Sequence, residues 1–329
     1  YNLIMNEEKY TIVESNSNLE WDEFLLKTEN QNIYSSSEFI DNSSIPAKKY
    51  FIKKNSEIFA SFHLFIEEKI IKTGERIYSP LNFKFFEKQN QSSIKYKKFE
   101  IINVYANYIK DNFNSGDICL DFNTNDLRPF YWINFDKKKE IFTTKFIKYT
   151  STLNIKNTMN FSNYSEITSD MLYKNFSRSL KQQITKSINE NFQSKEEFDA
   201  NFFEETLKIT FKNQNKSPDF NFDSLKKIYE ELFKKKKLFM FNTLKDKKKL
   251  SYCIFGIIGN NALYLNGGRV ENTNDDSSLT YNLIMSLSAL KKKGIVTVDL
   301  EGVNSPKRGF WKLGFGGDIK PYYHLSFKS

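Results

Sequence analysis

The sequence predicts an α/β (α+β) protein of two tandem domains, each a mixed, mostly antiparallel sheet flanked by helices. At 329 residues and 38.9 kDa the chain exceeds one ordinary domain. Apolar residues switch between strand-like runs and runs at helical spacing, so strands and helices interleave. The order strand, strand, strand, helix, strand with a closing carboxylate occurs twice, once in each half.

In the first half, Tyr50 to Lys53, Ile58 to Ile66 and Ile70 to Tyr78 have strand composition. Lys97 to Phe113 aligns Phe99, Ile102, Ala106 and Ile109 on one helical face, and Ile118 to Phe122 is a strand with an acid, Asp121, at its end. Asn, Ser and Thr accumulate between Tyr149 and Tyr164, which places the join there and predicts domains 1–155 and 156–329, the last strand returning toward the first domain. In the second half, Asn175 to Phe192 carries Phe176, Leu180, Ile184 and Ile188 at fourfold spacing, and helices follow at Glu204 to Asn213 and Asp223 to Lys236. Strands are expected at Leu238 to Leu244, Leu250 to Ile258 and Ala262 to Asn266. An amphipathic helix carries Leu279, Leu283, Ile284, Leu287 and Leu290 and stops at Gly294. Ile295 to Leu300 and Pro321 to Phe327 are the last strands.

Composition narrows the classes. Hydrophobic residues make up 39%, with 32 Phe and 18 Tyr, enough for packed cores at a mean hydropathy of -0.58. The net charge of +9 and pI near 9.1 suit a polyanionic partner, although a Lys-, Asn- and Ile-rich composition accounts for the excess without one. Cys119 and Cys253 sit inside apolar runs, as buried thiols in a reducing cytoplasm would. No run reaches the ~20 apolar residues a membrane span needs, which predicts a chain with no integral segment, open to peripheral association only. His63 and His324 are far apart with no nucleophile motif nearby, so neither a hydrolytic triad nor a metal site is expected.

The chemistry concentrates near the C-terminus. Val298-Asp299-Leu300-Glu301-Gly302 delivers two carboxylates and a glycine turn, and a short loop, Arg308-Gly309-Phe310-Trp311-Lys312, brings two cations back beside them. Glu301 at a strand end is the candidate base; Asp299, two residues back, is expected on the same face. An ion pair of Glu301 with Arg308 or Lys312 that merely holds the loop explains the same residues. Lys312 offers a point charge to a phosphate or a tetrahedral oxyanion. Trp311 suits packing as well as a ligand contact. Gly267-Gly268-Arg269, between a strand and a helix beginning near Ser278, has the outline of an anion site, with Arg269 as the cation; Asp275 and Asp276 oppose a pyrophosphate there. Arg178 heads a basic helix face, and Arg128 and Trp132 lie in an aromatic segment suited to a sugar or base, or to packing.

Asp299, Glu301, Gly302, Gly309, Trp311, Lys312, Phe315 and Gly316 together resemble the C-terminal signature of the FemAB-like branch of the GNAT acyltransferase superfamily. The resemblance implies two tandem GNAT-like domains without a coiled-coil arm. It further implies an acyltransferase or aminoacyltransferase of the cell envelope, acting on an amine of a precursor, an amino sugar or muropeptide that is nucleotide- or lipid-linked. Lys312 would then meet the donor and the reacting carbonyl. The donor would be a co-substrate, aminoacyl-tRNA or acyl-CoA, with no permanently bound cofactor and no metal. The segment after Gly267-Gly268 departs from the CoA loop of simple GNAT enzymes, which favours aminoacyl-tRNA. Two alternatives stay open: an acyl-CoA-dependent N-acyltransferase of a nucleotide-linked amino sugar in polysaccharide biosynthesis, and a non-catalytic GNAT-like binding module.

Overall fold

In the computed structural model, residues 10–86, 89–135, 140–213, 215, 217–218, 220–270 and 277–329 are described. The chain divides into two units, 1–147 with 322–329 and 148–321, so the division falls ahead of the expected 155/156 boundary.

The first unit contains β1 (Thr11–Glu14), α1 (Asn18–Leu25), α2 (Ser37–Asp41), β2 (Ala47–Lys54), β3 (Glu57–Glu67), β4 (Ile70–Lys72), β5 (Asn82–Phe83), α3 (Gln91–Asn112), β6 (Ser115–Leu120) and α4 (Arg128–Asn134). Strands β1 to β4 pair antiparallel in order, with Lys49 opposite His63 in β2 and β3, and β5 also pairs with β3. After α3, β6 returns parallel to β4, with Ile70 opposite Ser115. Side-chain alternation sorts the layers. Tyr50, Ile52, Phe62 and Leu64 bury one face against Tyr105 and Ile109 of α3, while Phe51 turns the other way onto Trp21 and Phe24 of α1, with ring centroids 5.5 and 5.7 Å apart. Ser17 caps α1 by accepting the Glu20 N–H at 3.2 Å, and Asn90 caps α3 through the Ser93 N–H at 2.8 Å. The expected strand from Ile70 to Tyr78 ends at Lys72, because Gly74 turns the chain at φ +65°.

From β7 (Phe142–Asn154) onward come α5 (Met171–Lys174), α6 (Arg178–Ile188), β8 (Gln193–Glu196), α7 (Ala200–Asn213), α8 (Phe222–Lys234), β9 (Leu238–Lys245), β10 (Lys248–Ile258), β11 (Asn261–Arg269), α9 (Ser277–Lys292), β12 (Thr297–Gly302), α10 (Pro306–Leu313) and β13 (Asp318–Lys328). In the second unit β8 to β11 pair antiparallel in order, and β12 returns parallel to β11 after α9. This is the topology of the first unit: antiparallel strands, a helix, then a strand parallel to the last of them. Each returning strand has an antiparallel partner on its other side, the Tyr323 to Lys328 part of β13 for β6 and the Thr150 to Asn154 part of β7 for β12.

The second core joins Leu180 and Ile184 of α6, Phe255 of β10, Leu283 and Leu287 of α9, and Val298 of β12. Each such fully buried side chain stabilises the fold by about 1.5–3 kcal/mol. Helix α9 is buried well beyond its apolar stripe. The Asn282 amide donates to the carbonyls of Phe241 at 2.9 Å and Ser251 at 3.1 Å, which satisfies its buried polar atoms against β9 and β10. Among the described residues, no helix is long and apolar enough to cross a membrane.

Candidate functional site

The site begins where two parallel strands part. β11 and β12 pair through Asn261, Ala262 and Leu263, opposite Thr297, Val298 and Asp299. Beyond that, β11 continues to Arg269 against β10. On the other side of β12, Asp299 faces Thr152 and Gly302 faces Thr150, so β12 carries one more residue than β7 over this stretch. The bulge puts Glu301 in the left-handed region at φ +58°. That conformation costs a non-glycine residue about 1–3 kcal/mol, and it re-aims the side chain. Asp299 holds the bulge: its Oδ1 accepts the Glu301 N–H at 2.7 Å and the Thr150 hydroxyl. The bulge therefore breaks the alternation that placed Asp299 and Glu301 on one face; Asp299 positions the backbone of Glu301. Both are buried, at 7% and 5% exposure, Asp299 as the last residue of β12 paired with β11 and Glu301 just past the parting.

The expected loop at 308–312 is helix α10. Pro306 starts it at a position where its missing N–H costs nothing. Gly309 is required by packing rather than by an approach to ligand: a Cβ there would lie 2.2 Å from the Val303 carbonyl oxygen. Docked this closely, α10 carries Lys312 back over the end of β12, its Nζ 3.4 Å from the Gly302 carbonyl oxygen and 5.0 Å from the Tyr264 ring centroid. Gly309→Ala is expected to destabilise the fold by about 1–3 kcal/mol. It should also cut turnover disproportionately, since a misplacement of ~1 Å costs about a hundredfold. Denaturant unfolding and initial rates on the same variant check both.

Burial lowers the Lys312 ammonium to about 8, against the Glu301 and Asp299 carboxylates that hold it up; the Arg308 guanidinium lowers it further. Tyr264 is the first residue of β11 past the parting. Burial raises its phenol, and burial likewise raises the thiol of Cys253, to which it is hydrogen-bonded. At neutral pH both are therefore protonated, and Cys253 is no thiolate nucleophile. Tyr229 of α8 is raised by burial and then by the charge of Glu301, and shares Asn266 with Tyr252, whose hydroxyl lies 3.3 Å from Asn266 Oδ1.

Glu301, Asp299, Lys312 and Arg308 thus converge, with Tyr264, Cys253 and Tyr229 added by the structure. The Gly267-Gly268 reading is corrected. These residues and Arg269 lie within β11, opposite Cys253, Tyr252 and Ser251 of β10, not free at a helix start. Glycine is needed at 267 because a Cβ would meet the Tyr264 hydroxyl oxygen at 1.7 Å. Asp275 and Asp276 lie outside the described residues. Trp311 serves packing: its Nε1 donates to Thr280 Oγ1 at 3.0 Å and its ring meets Phe315 edge-on at 5.2 Å. Arg178 is exposed at the first position of α6. Arg128 and Trp132 belong to the first unit and pair within it. Asp126 takes the Arg128 fork at 2.9 and 2.6 Å, and Trp132 meets Phe99 edge-on at 4.8 Å.

Asp121, at the matching strand end of the first unit, differs in kind. It accepts from Asn30 at 3.1 Å, Asn123 at 3.1 Å and Thr124 at 3.2 Å, and burial raises its carboxyl. Side-chain donors close that carboxylate, whereas Glu301 stands beside an ammonium. Among the described residues, no group of three His, Cys, Asp or Glu side chains is placed to hold a metal ion.

The two units thus share one sheet topology, and in the second a carboxylate and a lysine stand at the end of the returning strand, an arrangement whose fold has counterparts among solved structures. The chain is similar to the crystal structure of FemX at a TM-score of 0.65 and 12% identity, over 97% of both chains. It is similar to L-PGS from Bacillus licheniformis at 0.55 and 9%, over 98% of this chain and 94% of that one. A C-terminal domain assigned to a lysylphosphatidylglycerol synthetase of Agrobacterium fabrum matches at 0.54 and 8%, over 94% and 92%. At these identities the likeness is one of fold. No family model and no curated protein matches the sequence.

Proposed function

We propose that the chain is a cytoplasmic transferase that moves an aminoacyl group from aminoacyl-tRNA to an amine of a nucleotide- or lipid-linked cell-envelope precursor. The observation that carries this is Lys312, an ammonium held on the Tyr264 ring at the parted strands and biased by the Glu301 carboxylate. The acceptor nitrogen attacks the donor carbonyl carbon, the carbonyl oxygen becomes an oxyanion, and collapse expels the ribose oxygen of the tRNA. Lys312 stabilises the oxyanion, and Glu301 takes the proton from the attacking nitrogen and passes it to the departing ribose oxygen, which leaves as a hydroxyl. No permanently bound cofactor is needed, because the donor arrives activated. The net charge of +9 suits a tRNA donor, and one fold neighbour carries the name of a lysylphosphatidylglycerol synthetase, a name that points to an aminoacylated lipid.

The test supplies the purified chain with radiolabelled aminoacyl-tRNA, with and without ribonuclease, or with radiolabelled acetyl-CoA. A UDP-linked muropeptide and a UDP-linked amino sugar are the acceptors. Ribonuclease-sensitive label on either acceptor is the expected result. Label from acetyl-CoA alone replaces the donor and favours the polysaccharide N-acyltransferase. No product from any donor, with acceptor binding indifferent to Glu301→Gln, leaves a binding module.

A further inference from the structure

Arg76, just past the turn that ends β4, is 7% exposed, and all three of its guanidinium nitrogens are buried without a hydrogen-bond partner among the described residues. Its guanidinium lies over the Phe65 ring, with the central carbon 4.1 Å from the centroid. A cation over an aromatic face gains attraction but leaves its N–H fork unmet. His63 lies two residues before Phe65 on β3, so the two share a face, and its ring meets Phe65 edge-on at 5.6 Å. Both His63 ring nitrogens are also buried with no partner. Burial, and then the charges of Arg76 and Lys49, keep His63 neutral. Burial lowers the Arg76 guanidinium to about 9, and although the Glu75 carboxylate acts on its charge, no neighbour among the described residues meets its N–H fork. Lys49 is engaged by Asp41 at 2.8 Å and Asn18 at 2.5 Å. Glu75 accepts the Ser44 N–H at 3.1 Å through Oε1, and its buried Oε2 reaches no donor.

Buried polar groups are almost always satisfied, and a buried cation whose N–H donors meet no acceptor is costly. Two such side chains on one sheet face point to a missing acceptor. We propose that the first unit carries a second ligand site, in which Arg76 and His63 receive a small oxyanion group, a phosphate or a carboxylate. The guanidinium forks onto two oxygens of the group, and the imidazole N–H donates to it. A monoprotonated phosphate also offers a hydroxyl to the remaining His63 nitrogen, a bond a carboxylate lacks. The site is independent of the Glu301 and Lys312 chemistry, which belongs to the other unit.

Thermal unfolding of the full chain, with inorganic phosphate or acetate titrated at ionic strength matched with chloride, tests this. The wild-type midpoint is expected to rise saturably with phosphate, and R76M to lose the rise. R76K should need at least tenfold more phosphate, because an ammonium cannot fork. A saturable rise with acetate that R76M abolishes assigns the group as a carboxylate instead and supports the site equally. No saturable rise with either anion, or an equal rise in R76M, overturns the proposal. Should R76M fail to fold, equal phosphate midpoints in R76K and the wild type overturn it.

Discussion

Lys312→Met is expected to lower turnover by about a hundredfold or more while leaving the chain folded and, at pH 7, more stable. The loss follows from removing one preorganised donor from the reacting oxygen, which costs ~100- to 1,000-fold. The gain follows from linkage. The folded lysine sits near 8 and the ordinary value is 10.5, so below pH 8 the fold must carry a proton that it holds less well than the unfolded chain does. At roughly 1.4 kcal/mol per unit this costs on the order of 3 kcal/mol. Methionine removes the cost and keeps the aliphatic stem against Tyr264. The stability advantage of the variant should therefore be largest below pH 8 and fade as pH rises toward 10.5. Unfolding midpoints at pH 7 and 10, beside initial rates, check this. Unchanged turnover in a folded variant takes Lys312 out of the mechanism; a less stable variant at pH 7 makes it a structural lysine.

Much of the second unit was legible because its elements are periodic and its breakers strong. Leu283, Ile284, Leu287 and Leu290 mark α9 as surely in the sequence as in the core, and β9 to β12 follow their apolar runs to within a few residues. Helix α10 was not legible. Pro306, Gly309 and Gly314 within nine residues read as loop by propensity, and only the docking of Gly309 on Val303 explains the helix. The bulge at Glu301 is one extra residue relative to a strand 150 positions earlier, which no local pattern encodes. Tyr264 carries no signal in the sequence because Gly267 and Gly268 read as a turn; inside a strand the same glycines mark the close approach of a ring. In the first unit, β1 is too short and exposed to alternate visibly, and Asp121 resembles its counterpart Glu301 in sequence while its donors, Asn30, Asn123 and Thr124, come from side chains that carry no motif.

Glu301→Gln is the sharper test of acid and base roles, because it separates charge from shape. Glutamine keeps a side chain of the same size, with the same backbone strain at φ +58°, so the Asp299 contact to the backbone N–H at residue 301 survives. If Glu301 removes the proton from the attacking amine, turnover should fall by about 100- to 10,000-fold. A second effect follows from its neighbour. Burial pushes Lys312 down, and the Glu301 carboxylate is the first of the charges pulling it up; without that charge the ammonium loses its proton more easily. The wild-type rate should decline as pH rises through about 8, where Lys312 deprotonates. In Glu301→Gln the residual rate should begin its decline at lower pH. A pH–rate profile of both proteins, recorded with saturating donor and acceptor, measures the fall and the displacement together. A large fall with the alkaline limb unmoved would mean that Glu301 acts on substrate without sensing Lys312, and an unmoved limb with unchanged rate would mean that the two side chains share a neighbourhood but no chemistry.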